Sequence, residues 1–215
     1  MNFVPASGLR ESEAAAIADH PGLGLEMMTR AGKGLAGLLA RWLRQLEPPY
    51  PAVRFLAGPG NNGGDAFAAA GVLDAMGIAA EVWLAVPADK VWAVLSDFGG
   101  FLNWAGGGNG TLRLEGEGVG AIRHLELPGL GKMAERLDRN DHGTRTQGYT
   151  LMYGQPIGMA KYSAVVTVND IPGGCRLDWK GEFEAAPGAD PADVARALEG
   201  SYTGMSAALD AAARG

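Results

Sequence analysis

The chain of 215 residues holds one cysteine, Cys175. No internal disulfide can form, and such usage points to a reducing, cytoplasmic compartment. Histidine is scarce too: His20, His124 and His142 are the three, and no spacing of His, Cys and carboxylates fits a metal site. No serine has the G-x-S-x-G surroundings of a nucleophile. No window approaches the ~18 apolar residues of a membrane span. The opening MNFVPASGLRESEAAAIADH lacks the apolar core of a signal peptide. Basic clusters are missing as well. With a net charge of −6, neither nucleic acid nor an anionic membrane surface is an expected partner. What remains is ordinary for a globular protein: 47% hydrophobic residues, 20% charged, and 34 glycines that sit mostly at turns.

The pattern of segments divides near the middle. LRESEAAAIADH reads as a helix broken by PGLG, and LEMMTRAGKGLAGLLARWLRQL as a second helix. The latter carries Leu35, Leu38, Leu39, Trp42, Leu43 and Leu46 on one apolar stripe. VRFLAG, GPGNNGGD, AFAAAGVLDAMG and AAEVWLAV follow as strand, turn, helix and strand. Such a unit makes neighbouring parallel strands with a right-handed crossover. From Pro87 the rhythm changes. A short helix, ADKVWAVLSDF, precedes six period-two segments from TLRLEGEG to CRLDWKGEFEAA, separated by glycine- or proline-bearing turns. The last segment, PADVARALEGSYTGMSAALDAAA, reads as a long helix with Pro191 in its first turn. Its Val194, Leu198, Tyr202, Met205 and Leu209 form a face that can lie on a sheet. An antiparallel sheet gripping one long helix is an α+β layout.

The turn before the third helix can cradle a phosphate. Gly60, Gly63 and Gly64 allow close approach, Asn61 and Asn62 add amides, and Asp65 can cap the helix. The same residues also suit an ordinary tight turn. AAAIADHPGLGLEMMTRAGKGLA and VRFLAGPGNNGGDAFAAAGVLDAMGIAAEVWLA together resemble the start of the NAD(P)H-hydrate epimerase (YjeF N-terminal) family, over about residues 8–85. The resemblance implies a Rossmann-like αα-βαβ fragment. It also implies that Asn61, Asn62, Gly63, Gly64 and Asp65 bind the dinucleotide hydrate, with Asn62 helping to hold potassium. Family members continue with further strands and a DIPSG-like motif. NDIPGGC at 169–175 lies between two period-two segments and is expected to be a hairpin turn. Truncated in this way, the segment is expected not to epimerise. No cofactor is expected, potassium entering only on the epimerase alternative.

The second half resembles the polyketide-cyclase-like START (SRPBCC) superfamily from about residue 80 to 215. The opening VPADKVWAVLSDF, the pair GAIRHLEL and ERLDRND, and a tryptophan-bearing last strand before a long helix carry the likeness. It implies a helix-grip fold with a hydrophobic cavity between sheet and helix, binding apolar small molecules and in some members catalysing cyclisation. FLNWAGGGNG departs from relatives in lacking the proline and polar residue that often follow the tryptophan. The expected organisation is a truncated epimerase-like segment at 1–79 and a helix-grip ligand-binding domain at 80–215.

Alternation gives a separate view of the cavity. Ala121, Arg123, Leu125 and Leu127 share one face, as do Met133, Glu135 and Leu137. In a hairpin centred on Gly129, Arg123 and Glu135 fall opposite one another. They are either an ion pair at the rim, or turned outward by a bulge, or polar anchors inside an apolar pocket. Trp179 and Phe183 are expected in the core or cavity wall, and Tyr149, Tyr162, Tyr153 and Tyr202 are further cavity candidates. No catalytic residue is assigned, although proton transfer by a buried Glu135 is compatible with the pattern. The expected function is binding of a hydrophobic small molecule, with cyclase/dehydrase-type activity open. NAD(P)H-hydrate epimerisation is the alternative, and N-terminal helices that merely pack against a neighbour a third reading. Homo-oligomerisation is left open. One conflict stands out. Both halves claim AAEVWLAV, and the more complete helix-grip domain is expected to keep it, leaving VRFLAG poorly supported.

Overall fold

The structure, a computed structural model, describes residues 23–46, 52–57, 61–105 and 109–215. The helix expected in LRESEAAAIADH lies outside the described residues, as do Gly60 and the side chains of Asn61 and Asn62. The described chain runs α1 (Leu23–Leu43), β1 (Val53–Ala57), α2 (Asn61–Ala75), β2 (Ala80–Leu84) and α3 (Ala88–Leu95). A 3-10 turn at Phe98–Asn103 leads to β3 (Thr111–Glu115), β4 (Ile122–Leu127), β5 (Gly131–Asp141) and β6 (Thr146–Tyr153). A short 3-10 turn at Pro156–Gly158, β7 (Met159–Ile171), β8 (Gly174–Ala185) and α4 (Pro191–Arg214) complete it.

All strands join one eight-stranded sheet in the order β1-β2-β8-β7-β6-β5-β4-β3. From β8 to β3 it is an antiparallel meander, because short turns return the chain beside itself. In the NDIPGGC stretch, Ile171 pairs with Gly174 across Pro172 and Gly173, and Gly173 takes a φ of 86° that suits glycine. The stretch is a hairpin turn, as its setting predicts. Helix α4 starts where Asp190 accepts a 2.8 Å hydrogen bond from the Ala192 amide, with Pro191 in the first turn.

The contested strand is shared, contrary to the expectation that one half would keep it. β2 pairs in parallel with β1 from Val53↔Ala80 to Ala57↔Leu84, and antiparallel with β8 at Trp83↔Arg176 and Leu84↔Cys175. The other end of the sheet is β3, which does not pair with β2. The sheet therefore does not close, and the free edge of β2 is available to β1. Within VRFLAG, Val53–Ala57 is paired with β2 along its whole length.

Side chains bind the halves further. Ala57, Phe67 and Leu84 share one apolar cluster with Val166, Val168, Cys175, Leu209 and Ala213. At the end of α4, Arg214 bonds both carboxylate oxygens of the buried Asp210, at 2.7 and 2.8 Å, and donates to the Ala57 carbonyl at 3.1 Å. A second cluster lies under the first turns of α4, with Leu125, Met133, Leu137, Tyr149, Tyr162 and Leu198 buried together. On α1 the buried face is Ala36, Ala40 and Leu43, while Leu38 and Trp42 are more than half exposed. The leucine stripe is thus rotated away from the contact, because α1 approaches α2 through small residues: a Cβ on Gly32 would lie 2.5 Å from the Ala68 Cβ. Among the described residues, no helix is long and apolar enough to cross a membrane.

Candidate functional site

Strands β4 and β5 pair with Arg123 opposite Glu135, the register that the alternation gives. Both are buried, at 5% and 7% exposure. Arg123 Nε donates to Glu135 Oε2 at 2.8 Å, and Arg123 Nη2 lies 2.7 Å from the same oxygen as an ion pair. Among the described residues, Arg123 Nη1 and Glu135 Oε1 form no hydrogen bond. A rim position and an outward bulge are both ruled out by the burial. Two opposite charges meeting in a dry interior hold one another in place, since either alone would be costly to bury.

Three aromatic rings surround the guanidinium. Phe98 lies 4.2 Å from its carbon, Phe101 4.4 Å and Tyr149 5.2 Å, measured to ring centres. Contacts of this kind favour a cation that has lost its water. Phe98 and Phe101 come from the 3-10 turn, which Asp97 fixes by accepting a 2.9 Å bond from the Gly100 amide. A Cβ on Gly100 would strike that carboxylate at 2.1 Å, so the turn needs glycine there. Sequence reading missed these two rings; the only signal was a pair of phenylalanines in SDFGGFLN, a stretch without periodicity.

The pair opens onto a cavity of about 110 Å³ between the sheet and α4, lined also by Leu125, Met133, Tyr149, Ile157, Tyr162 and Met205. Ile157, in the turn between β6 and β7, has a φ of 48°, a left-handed conformation costly for a β-branched residue. Of the predicted residues, Arg123, Glu135, Tyr149 and Tyr162 therefore line one cavity. Trp179 instead lines a second, larger cavity on the N-terminal side. Phe183 packs against the cluster beneath α4 without lining the small cavity, and Tyr153 is exposed.

A chain of hydroxyls runs behind the cavity. Trp179 Nε1 donates to the Tyr149 hydroxyl at 3.3 Å, which lies 3.3 Å from that of Tyr162, which lies 2.9 Å from that of Tyr202. Burial raises the Tyr149 pKa, and the charge of Glu135 adds to the rise. Burial and the neighbouring phenols likewise raise that of Tyr162. Both phenols stay protonated through the physiological range and act as neutral hydrogen-bond donors and acceptors.

The glycine-rich turn departs in part from the expectation: Asn61–Asp65 already belong to α2, so Asp65 lies inside the helix rather than capping it, and residues 58–60 lie outside the described residues. A Cβ on Gly64 would meet the flexible end of the Met28 side chain at 2.4 Å, which would have to move aside. Asp65 sits half-buried in the first turns of α2.

Comparison with known proteins finds two family matches on the chain. A family described as polyketide cyclase / dehydrase and lipid transport matches residues 75–214. A family described as YjeF-related protein N-terminus matches residues 24–97. The two matches overlap on the stretch that holds β2 and α3. NAD(P)H-hydrate epimerase of Rhodobacter capsulatus is 40% identical over 92 residues, covering 41% of this chain and 43% of that protein. The epimerase of Roseobacter litoralis is 34% identical over 90 residues, covering 42% and 40%. The chain thus spans less than half the length of these curated relatives. Among solved structures, Ara h 8.0201 superposes with a TM-score of 0.53 at 19% identity, covering 60% of this chain and 91% of that one. XoxI from Bacillus cereus gives 0.51 at 21%, covering 59% and 87%. These likenesses establish the helix-grip fold and nothing finer.

Proposed function

Since the chain belongs to the polyketide cyclase / dehydrase and lipid transport family, we propose that it binds a small apolar molecule bearing one hydroxyl or carbonyl group in the cavity beneath α4. The observation that carries this reading is the Arg123–Glu135 pair, buried on an otherwise apolar face that lines the cavity. Arg123 Nη1 offers a donor and Glu135 Oε1 an acceptor, while the pair as a whole is neutral. Such a pair orients a neutral polar group and gives no net attraction to an ion. An apolar cavity of about 150 Å³ takes up benzene. The 110 Å³ here accordingly suits a single ring or short chain, and a longer ligand requires Met133 and Met205 to move. Tyr149 and Tyr162 add neutral hydroxyl oxygens at the wall, which can accept from a ligand. A cyclisation or dehydration would use the same groups, Glu135 accepting a proton, but ligand binding alone accounts for the arrangement.

Titration of the labelled protein with phenol and cyclohexanone, followed by amide shifts in two-dimensional NMR, tests the proposal. Saturable shifts are expected along β4 and β5 around residues 123 and 135. They should vanish in the double variant Arg123→Met/Glu135→Leu, which keeps the site filled and uncharged. Equal binding by the double variant would remove the pair from the site.

A second reading has one specific support, the 40% identity to an epimerase across the glycine-rich turn. It takes Asn61–Asp65 as the cradle for a hydrated dinucleotide, with potassium at Asn62. Turnover of hydrated NADH with potassium present, lost in Asn62→Ala, is its signature; no turnover would end it.

A further inference from the structure

A second space lies not under the front of α4 but beside it. A cavity of about 570 Å³ lies between α2 and α4, floored by β2 and β8. Its volume falls within the range of small-molecule sites, about 300–1,000 Å³. Neither family-matched segment alone contains it. Phe67 and Gly71 come from α2, Val82 from the shared strand, Trp179 from β8, and Gly200 and Tyr202 from α4.

We propose that this junction cavity is a second ligand site, taking a neutral apolar ring compound with a carbonyl or ether oxygen. This inference is separate from the proposal for the smaller cavity. Its first support is the pair of glycines on the two facing helices. Glycine is disfavoured in helix interiors, yet Gly71 and Gly200 both line this space, and a Cβ on either would meet nothing within 4 Å. No close packing demands glycine at these positions, and the absent side chains leave the cavity open.

The second support is the direction of the hydroxyl chain. An indole N–H only donates, so the Tyr149 oxygen accepts from Trp179. If Tyr149 then donates to Tyr162 and Tyr162 to Tyr202, every buried proton in the chain has an acceptor. In the reverse direction the proton of Tyr149, which is 4% exposed, would be left over in the interior. The satisfied arrangement leaves the proton of Tyr202, the one phenol of the three that lines the junction cavity, available to a ligand oxygen. Tyr202 is held against the sheet by stacking on Trp179 at 5.1 Å and by Gly181, whose Cβ would lie 2.0 Å from the phenol oxygen.

Charge at the mouth selects against anions. Arg196 is already paired with Asp193, and Glu199 stands beside them, so an anion meets net negative charge.

Nile red is neutral, carries a carbonyl and is larger than the 110 Å³ cavity, so it separates the two sites. Fluorescence titration of the full chain is expected to show saturable binding. Gly71→Phe and Gly200→Phe, each filling the cavity from one helix, should each raise the Kd tenfold or more without lowering the Tm. The Arg123→Met/Glu135→Leu double variant should stay within twofold of wild type. Tyr202→Phe should shift the bound emission to the blue as the donor is lost. A Kd within twofold in both glycine variants would overturn the proposal. So would binding abolished only in the double variant, which would place the dye under the front of α4. Light scattering supplies the remaining check: a dimer that becomes a monomer in the glycine variants, with dye binding unchanged, would assign the surface to a second copy of the chain and overturn the ligand site.

Discussion

The helix-grip part and the N-terminal part of this molecule are attached to the same sheet by very different means. Inside the grip, β7 and β8 pair from Ile171↔Gly174 to Met159↔Ala185. Across the junction, β2 meets β8 only at Trp83↔Arg176 and Leu84↔Cys175. What the short ladder lacks is supplied by side chains: Phe67 and Leu84 bury against Leu209, and Arg214 reaches the Ala57 carbonyl. The two sites differ in the same sense. The grip cavity is small and carries a buried charge pair, whereas the junction cavity is large, mostly apolar, and walled by both parts.

The largest effect is expected where the grip breaks its own polar contact. Glu135→Leu leaves Arg123 buried and unpaired and should cost about 3–5 kcal/mol in urea unfolding. Adding Arg123→Met should restore most of that loss. If the single and double variants unfold alike, the pair is not the constraint the geometry implies.

Leu84→Ala tests the junction. Leu84 is 1% exposed, in the strand common to both parts, and its truncation should cost about 2–5 kcal/mol. Because the apolar cluster spans both parts, tryptophan fluorescence and far-UV circular dichroism should still report one transition. Two separated transitions would show that the parts fold as independent units after all.

Gly181→Ala should act more mildly, from within the grip. Its Cβ would collide with the Tyr202 hydroxyl, an overpacking expected to cost about 1–3 kcal/mol. The Tyr162–Tyr202 bond is broken or lengthened, so the Kd for Nile red should change while the Leu84 side of the sheet keeps its stability.

The grip was legible because antiparallel hairpins make local arithmetic sufficient. The turn around Gly129 fixes which residues oppose, and alternation fixes which face they share. Arg123 and Glu135 follow from those two facts. The aromatic cage and the hydroxyl chain were not legible, because Phe98, Tyr149, Tyr162 and Tyr202 come from four separate elements and meet only in the folded chain. The sharing of β2 was misjudged for a related reason. A strand's own sequence does not reveal whether a distant strand, here β3, will come round to occupy its second edge. Likewise the sequence alone assigns Asp210 and Arg214 no role, yet Asp210 is 5% exposed and Arg214 ties α4 to β1.

The smallest effect gives the finest measure of the junction. Cys175 is fully buried opposite Leu84, and burial, aided by the negative charges of Asp210 and Asp170, pushes its thiol from an ordinary 9.0 up to about 11. The folded state thus holds a proton that the unfolded chain releases sooner. This contribution to stability is complete below about pH 9 and declines as pH rises toward 11. At pH 8 the thiol is both hidden and protonated, so a disulfide reagent should modify it only when β2 lifts from β8. Leu84→Ala should accelerate that modification well beyond Gly181→Ala, because the latter acts further along the same strand, away from β2. Equal rates in the two variants would mean that Cys175 is exposed only by global unfolding. The short ladder would then open no more readily than the long ones, despite its two residue pairs.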